Sequence, residues 1–189
     1  IAISKTFKMD HIKHLIDHGH THFGENKVQE AIEKWTEVKK QNDKISLHMV
    51  GKLQSNKVKY ALKIFEYIHS VDNIKLVKKI SSEQKKNEKK PKIFIQVNIG
   101  NEIQKSGINY NDFNDFYNLC KTNDLNVIGT MCIPPDDNKS DLYFSKLKKL
   151  NDDNNLNEIS MGMSNDYLNA VEQQSTFLRI GSKIFGQRD

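Results

Sequence analysis

Short apolar runs alternate with longer amphipathic ones along the whole chain. Strand-like runs fall at 1–4, 21–23, 46–50, 67–70, 92–98, 126–131, 157–160 and 177–180. Helical periodicity fills the intervals at 9–18, 27–40, 56–65, 73–88, 111–122, 140–150 and 166–173. Asp72, Asn111 and Ser164 each precede a periodic run and are expected to cap it. Strands alternating with helices predict a parallel α/β fold, and eight strands close a (β/α)8 TIM barrel. An open doubly wound sheet is the alternative, but the glycine-rich phosphate fingerprint of that fold does not follow the first strand. One domain is expected over 1–189. No helix of useful length follows the last strand, so a barrel is expected to take that helix from a segment preceding Ile1.

Strand parity supports a polar barrel centre. In IFIQVNIG, Ile93, Ile95, Val97 and Ile99 share one face, and Phe94, Gln96 and Asn98 the other. The aliphatic face suits helices, which turns Gln96 and Asn98 inward. In FLRIG the same alternation sends Leu178 and Ile180 outward and Arg179 inward. In IAISK it groups Lys5 with Ile1 and Ile3, so parity alone does not decide where Lys5 points. Polar groups inside a barrel are costly unless they find partners in the protein or on a ligand.

Composition narrows the class. The chain has 189 residues, and 29 Lys and Arg against 24 Asp and Glu give a formal net charge of +5. That balance raises nucleic acid as a partner. Yet the densest basic run, QKKNEKK, carries a glutamate and precedes a proline, and NKVKYALK lacks the aromatic spacing of a stacking platform. No nucleic-acid partner is expected. No apolar run reaches the length of a membrane span, so none is expected at a membrane. Cys120 and Cys132 lack metal-pair spacing and read as ordinary buried thiols, which fits a reducing, cytoplasmic setting. DHGHTH straddles a helix end and a strand start, so His18, His20 and His22 diverge and no metal site is expected. His48 reads as a satisfied core histidine.

Barrel chemistry gathers at the C-terminal ends of the strands, with phosphate often held after strands seven and eight. MGMSND and GSKIFG follow those strands and supply small residues, hydroxyls and backbone N–H groups. Either turn alone would be a tight turn with a capping serine; two adjacent ones favour phosphate. Lys5 ends strand one, across the seam from strand eight. An isolated strand-end lysine usually snorkels to water. A desolvated one near Arg179 would have its amine pKa lowered, which favours attack on a carbonyl. Lysine, phosphate cradle and inward arginine together suggest pyridoxal 5'-phosphate (PLP), with Lys5 as Schiff-base lysine and Arg179 facing the pyridine nitrogen. Asn26 in FGENKVQE is expected to cap the next helix while facing the barrel mouth. After strand three, Gly51 is expected to turn the chain, and Ser55 or Asn56 to cap.

The stretches AISKT, HFGENKVQE, HMVGKLQSNK, IHSVD, IQVNIGNEIQKSGI, IGTMCIPP and SMGMSNDYLNAVEQQSTFLRIGSKIFGQRD, in this order from end to end, resemble the pyridoxal phosphate homeostasis protein family. The resemblance implies the barrel of fold-type III PLP proteins, shared with the N-terminal domain of alanine racemase. It implies that Lys5 carries PLP as an internal aldimine. Ser164, Gly181 and Ser182 would hold the phosphate, Arg179 the pyridine nitrogen, and Asn26 and Met163 would line the pocket. An arginine at that nitrogen disfavours its protonation and leaves the ring a weaker electron sink than an aspartate does. Against the family, the N-terminal helix is missing and 134–157 looks short, so a short helix is expected before strand seven.

The resemblance implies a non-catalytic protein that buffers or carries PLP for vitamin B6 homeostasis, with apo PLP-dependent enzymes as recipients. A single barrel is expected to be a monomer. The alternative is a PLP-dependent amino-acid racemase, which needs a second base, usually a tyrosine, on the ring face opposite Lys5. Tyr60, Tyr67, Tyr110, Tyr117, Tyr143 and Tyr167 are the only tyrosines, and none is assigned to the barrel mouth.

Overall fold

A computed structural model describes residues 1–186; the last three positions of the GSKIFGQRD motif lie outside the described residues. The chain runs β1 (Ala2–Ile3), α1 (Met9–Asp17), β2 (His22–Glu25), α2 (Val28–Gln41), β3 (Ser46–Met49), α3 (Val58–Ile64), β4 (Tyr67–Val71), α4 (Ile74–Asn87) and β5 (Lys92–Asn98). It continues through β6 (Ile108–Asn109), α5 (Phe113–Thr122), β7 (Asn126–Met131), α6 (Ser140–Asp153), β8 (Glu158–Met163), α7 (Tyr167–Glu172), β9 (Phe177–Arg179) and α8 (Ser182–Phe185). All strand pairs are parallel, in the order β1-β2-β3-β4-β5-β7-β8-β9, and β6 is a spur on β5. A parallel bridge from Ala2 to Ile180 joins the first strand to the last. There, Ile3 N donates to Ile180 O at 2.8 Å and Ile180 N to Ile1 O at 3.0 Å. This is the TIM barrel expected from the alternation of elements.

Two apolar layers follow from strand parity. Ile93, Ile95, Val97 and Ile99 join the large cluster between sheet and helices, where Phe23, Trp35 and Phe65 are fully buried. Phe94 belongs instead to a small cluster with Tyr67 and Met131, packed by Ile128 and Phe177. Phe94 stacks on the His69 ring (centroids 4.2 Å apart) and Tyr67 on the His48 ring (4.1 Å). The barrel centre is thus filled by rings rather than left as a pore. Gln96 and Asn98 also obey the parity. Gln96 donates to Ser106 O at 3.2 Å, and Asn98 both donates to Glu102 O and accepts from Glu102 N. They tie the 99–107 loop to the barrel rim.

Several expectations need correction at element ends. Asn73, not Asp72, caps α4 by accepting from Leu76 N at 2.9 Å; the Asp72 carboxylate instead accepts from Gly107 N. The helical run after Asn111 opens with a 3-10 turn, Tyr110–Asp112, so Asn111 sits inside the turn. β8 extends to Met163 and α7 begins at Tyr167, which leaves Ser164 in the connecting turn rather than at a cap. Asn26 does not cap α2, which begins at Val28 behind Lys27. Ser55 and Asn56 likewise fall within a 3-10 turn, Ser55–Lys57. The helix before β8, expected to be short, has 14 residues. Among the described residues, the single turn of α8 follows β9.

Gly129 marks the tightest strand approach: a Cβ there would lie 1.8 Å from Glu158 O. The obstacle is backbone in the β7–β8 ladder, so neither side can yield cheaply. Gly129→Ala is expected to destabilise the protein by about 3 kcal/mol or more. Urea unfolding measures this, and an unchanged midpoint would rule out so close a ladder.

Candidate functional site

A cavity of about 610 Å³ opens at the C-terminal ends of the strands. All seven residues singled out from the sequence line it: Lys5, Asn26, Met163, Ser164, Arg179, Gly181 and Ser182. Ser164 Oγ accepts from Gly181 N at 3.4 Å, which joins the β8–α7 turn to the β9–α8 turn. Arg179 is 5% exposed. Its Nη1 donates to Ser160 Oγ at 2.7 Å and its Nη2 to Cys132 O at 2.8 Å. Among the described residues no carboxylate pairs with it. Burial lowers its pKa, opposed by Cys132 and Asp166 nearby.

Lys5 stands just beyond β1, in a turn closed by Phe7 N donating to Ser4 O. Strand parity therefore stops short of it. The next residue, Thr6, has φ 70°, a conformation that costs a β-branched residue roughly 1–3 kcal/mol. Thr6 N donates to Glu30 Oε1 at 2.7 Å, which holds that conformation. Beneath the turn lies the fully buried Glu25. Its Oε1 accepts from Ser4 Oγ (2.8 Å), Lys34 Nζ (2.9 Å) and Trp35 Nε1 (2.9 Å). Lys34 Nζ also donates to Ser4 O and Glu30 Oε1. Lys34 thus joins Glu25, which holds Ser4, to Glu30, which holds Thr6, so both residues flanking Lys5 are tied to α2.

Behind Arg179 a hydrogen-bonded chain descends through the barrel. Ser160 Oγ lies 2.9 Å from His69 Nδ1, His69 Nε2 lies 2.9 Å from His48 Nδ1, and His48 Nε2 lies 2.9 Å from His22 Nδ1. Burial holds His48 and His69 well below the ordinary histidine pKa. Neighbouring His69 and His22 add to this at His48, and Arg179 at His69. Both rings are therefore neutral at pH 7. A second histidine of DHGHTH, His20, turns its Nε2 to His22 O. Among the described residues no group of three His, Cys, Asp or Glu side chains could hold a metal ion.

The alanine racemase N-terminal domain family matches residues 5–189. A pyridoxal phosphate homeostasis protein of Pasteurella multocida is 35% identical over the whole chain and 86% of its own length. The chain belongs to the pyridoxal phosphate homeostasis protein family. PipY of Synechococcus elongatus, solved with PLP bound, is 30% identical with a TM-score of 0.85, covering 98% of this chain and 91% of its own. Alanine racemase of Clostridium difficile, at 14% identity and TM-score 0.74, matches 99% of this chain with 52% of its own and shares the fold alone.

For this member of the family, sequence reasoning missed the Glu25 clamp and three charged groups of the cavity wall, Lys105, Asp136 and Asp166. A buried carboxylate gives no periodic signal, and the other three sit in loops and turns. The histidine chain was also missed beyond His48. Its rings come from three strands, and only the register between them brings the rings together.

Glu25→Ala removes the buried carboxylate that Ser4, Lys34 and Trp35 share, leaving Lys34 with Glu30 alone and the buried Trp35 Nε1–H without its acceptor, with an expected loss of about 3 kcal/mol in urea unfolding. A loss below 1 kcal/mol would mean that the pair does not anchor the turn. Acid stability reports the histidines. The unfolded chain protonates at each ring near 6.5 while the folded core refuses the proton. Stability is therefore full above about pH 6.5 and falls as pH drops below it, with a slope approaching about 2.7 kcal/mol per unit for the two inner rings. Equal stability at pH 6.5 and pH 5 in urea titrations would show that the fold accepts those protons.

Proposed function

We propose that this chain binds PLP covalently at Lys5 and buffers or carries it for vitamin B6 homeostasis, without robust catalysis. The observation that carries the reading is Arg179. A buried guanidinium with no carboxylate partner among the described residues is a costly charge, and it lines a cavity whose volume lies within the roughly 300–1,000 Å³ of small-molecule sites. A ligand that accepts hydrogen bonds offsets that cost.

The residues present fit PLP. Its aldehyde, when bound, offers an electrophile to an amine. Two lysines line the cavity. Lys105 donates to Pro134 O at 3.0 Å and pairs with Glu102, which holds its ammonium on the rim. Lys5 is the lysine whose backbone is fixed on both sides by the Glu25 and Glu30 contacts. Ser164, Gly181 and Ser182 supply hydroxyls and an amide for a phosphate; Asn26 and Met163 complete the wall. Arg179 would donate to the pyridine nitrogen and keep it unprotonated, which would weaken the ring as an electron sink.

Carriage rather than turnover is supported by the cavity wall. No tyrosine, histidine or cysteine is among its described residues, whereas Tyr67 and Tyr117 line a separate cavity of about 360 Å³ elsewhere on the protein. Exposed Ser182 and Met163 leave the mouth open to water, which suits transfer to apo-enzymes by a cytoplasmic monomer. No helix among the described residues is long and apolar enough to cross a membrane.

The test is a visible spectrum after incubation with PLP, followed by borohydride and peptide mass mapping. A visible band that is bleached by reduction, with the adduct on Lys5, is expected. Lys5→Ala is expected to abolish it and Lys105→Ala to retain it. A colourless wild-type protein, or an adduct on Lys105, would sink the proposal.

A further inference from the structure

The hydrogen-bonded chain below Arg179 has a direction. A neutral imidazole carries one donor and one acceptor, and a serine hydroxyl one donor and two acceptor sites. Ser160 Oγ accepts from Arg179 Nη1. Only two tautomer patterns then satisfy both His–His bonds: all three rings protonated on Nε2, or all three on Nδ1. In the Nδ1 pattern Ser160 accepts from both Arg179 and His69, and its own hydrogen needs another acceptor. In the Nε2 pattern Ser160 donates to His69 Nδ1, His69 to His48, and His48 to His22. Every acceptor in this second pattern faces the guanidinium, so the positive charge itself selects it.

The cations nearest the rings are Arg179 beside His69 and Lys92 near His22 and His48, while the Asp166 carboxylate, which accepts from Met163 N, acts on Arg179 from the cavity wall. Tyr67 stacks on His48 and its hydroxyl accepts from Lys92, while Phe94 and Phe177 pack the rest. No carboxylate hydrogen-bonds to any of the three rings among the described residues. Aligned neutral dipoles in a low-dielectric core polarise one another.

We propose that Ser160, His69, His48 and His22 are positioning residues for Arg179: an oriented chain of neutral dipoles that stands in for a counter-ion and fixes the guanidinium in the cavity. The chain ends at half-buried His22, whose outward Nε2–H completes the sequence. One part of the test rests on the reading that PLP meets Arg179; the other part does not.

The decisive experiment is nitrogen NMR on histidine- and arginine-labelled protein without PLP, at pH 7.5. His48 and His69 are expected as single Nε2–H tautomers, with scalar coupling across both N–H···N bonds. His48→Phe keeps the ring stack on Tyr67 but interrupts the chain. It is expected to give His69 a mixed tautomer population and to speed exchange of the Arg179 N–H protons by about tenfold or more. His48→Gln, which can donate and accept at once, is expected to restore slow exchange. Chemical denaturation verifies that each variant is folded. Nδ1–H tautomers in the wild type, or a His48→Phe variant with unchanged His69 tautomer and Arg179 exchange, would overturn the proposal.

With PLP loaded, His48→Phe is expected to shift the visible band and weaken binding roughly 3- to 10-fold, the share of one lost hydrogen bond. If wild-type protein takes up no PLP, the reading of the cavity fails, and the PLP-free NMR still decides the dipole chain.

Discussion

Everything at the cavity depends on the closure of one seam. Three residues of backbone, Ile1 to Ile3, bond to Leu178 and Ile180. That short ladder places the turn bearing Lys5 beside the turn bearing Gly181 and Ser182. Their separation along the chain spans almost its whole length, so no local propensity could bring them together. The other strands contribute by fixing how far each one reaches toward the rim. Gly24, for example, lies so near Ile3 that an added Cβ would come within 2.5 Å of its side chain. Small residues along the first strands let the seam close without a void.

The second constraint is electrostatic. On its barrel side Arg179 meets a centre packed with rings, where its partners are the Ser160 hydroxyl and the Cys132 carbonyl. A carboxylate beside Arg179 would solve the problem, but it would also satisfy the guanidinium from within and remove its reason to bind anything in the cavity. Neutral imidazoles stabilise the charge while leaving one edge of the arginine unsatisfied. Glu25 illustrates the opposite choice. There an ion pair serves a mechanical end: Glu25 Oε1 and Lys34 hold the backbone around Lys5.

Legibility in the sequence followed the physics of each element. Strands buried on both sides still alternate in β5 and β9, because helices select aliphatic groups on one face and the barrel centre selects polar or aromatic ones on the other. That is why Gln96, Asn98 and Arg179 could be turned inward from the sequence alone. Lys5 resisted the same argument because β1 ends two residues before it. Helix starts were right at α1 and α6 and off by one or two residues at α2 to α5 and α7, since among the described helix N-caps only Asn73 makes a side-chain capping bond; elsewhere a serine or asparagine near a boundary carries little information. The turns that line the cavity were found through their small residues and hydroxyls. His69 and Glu25 were not, because each takes its meaning from a neighbour on another strand or helix.

The two cysteines carry a practical consequence. Cys120 and Cys132 are both fully buried, and burial pushes each thiol up to about 12. Neither is a nucleophile at physiological pH. The folded chain over the described residues shields both thiols from maleimides and methanethiosulfonates. A single cysteine introduced at fully exposed Ile103, on the loop that Asn98 ties to the rim, becomes a unique attachment point for a fluorophore or spin label. The arrival of a ligand at the mouth can then be followed in real time, with no thiol removed from the core.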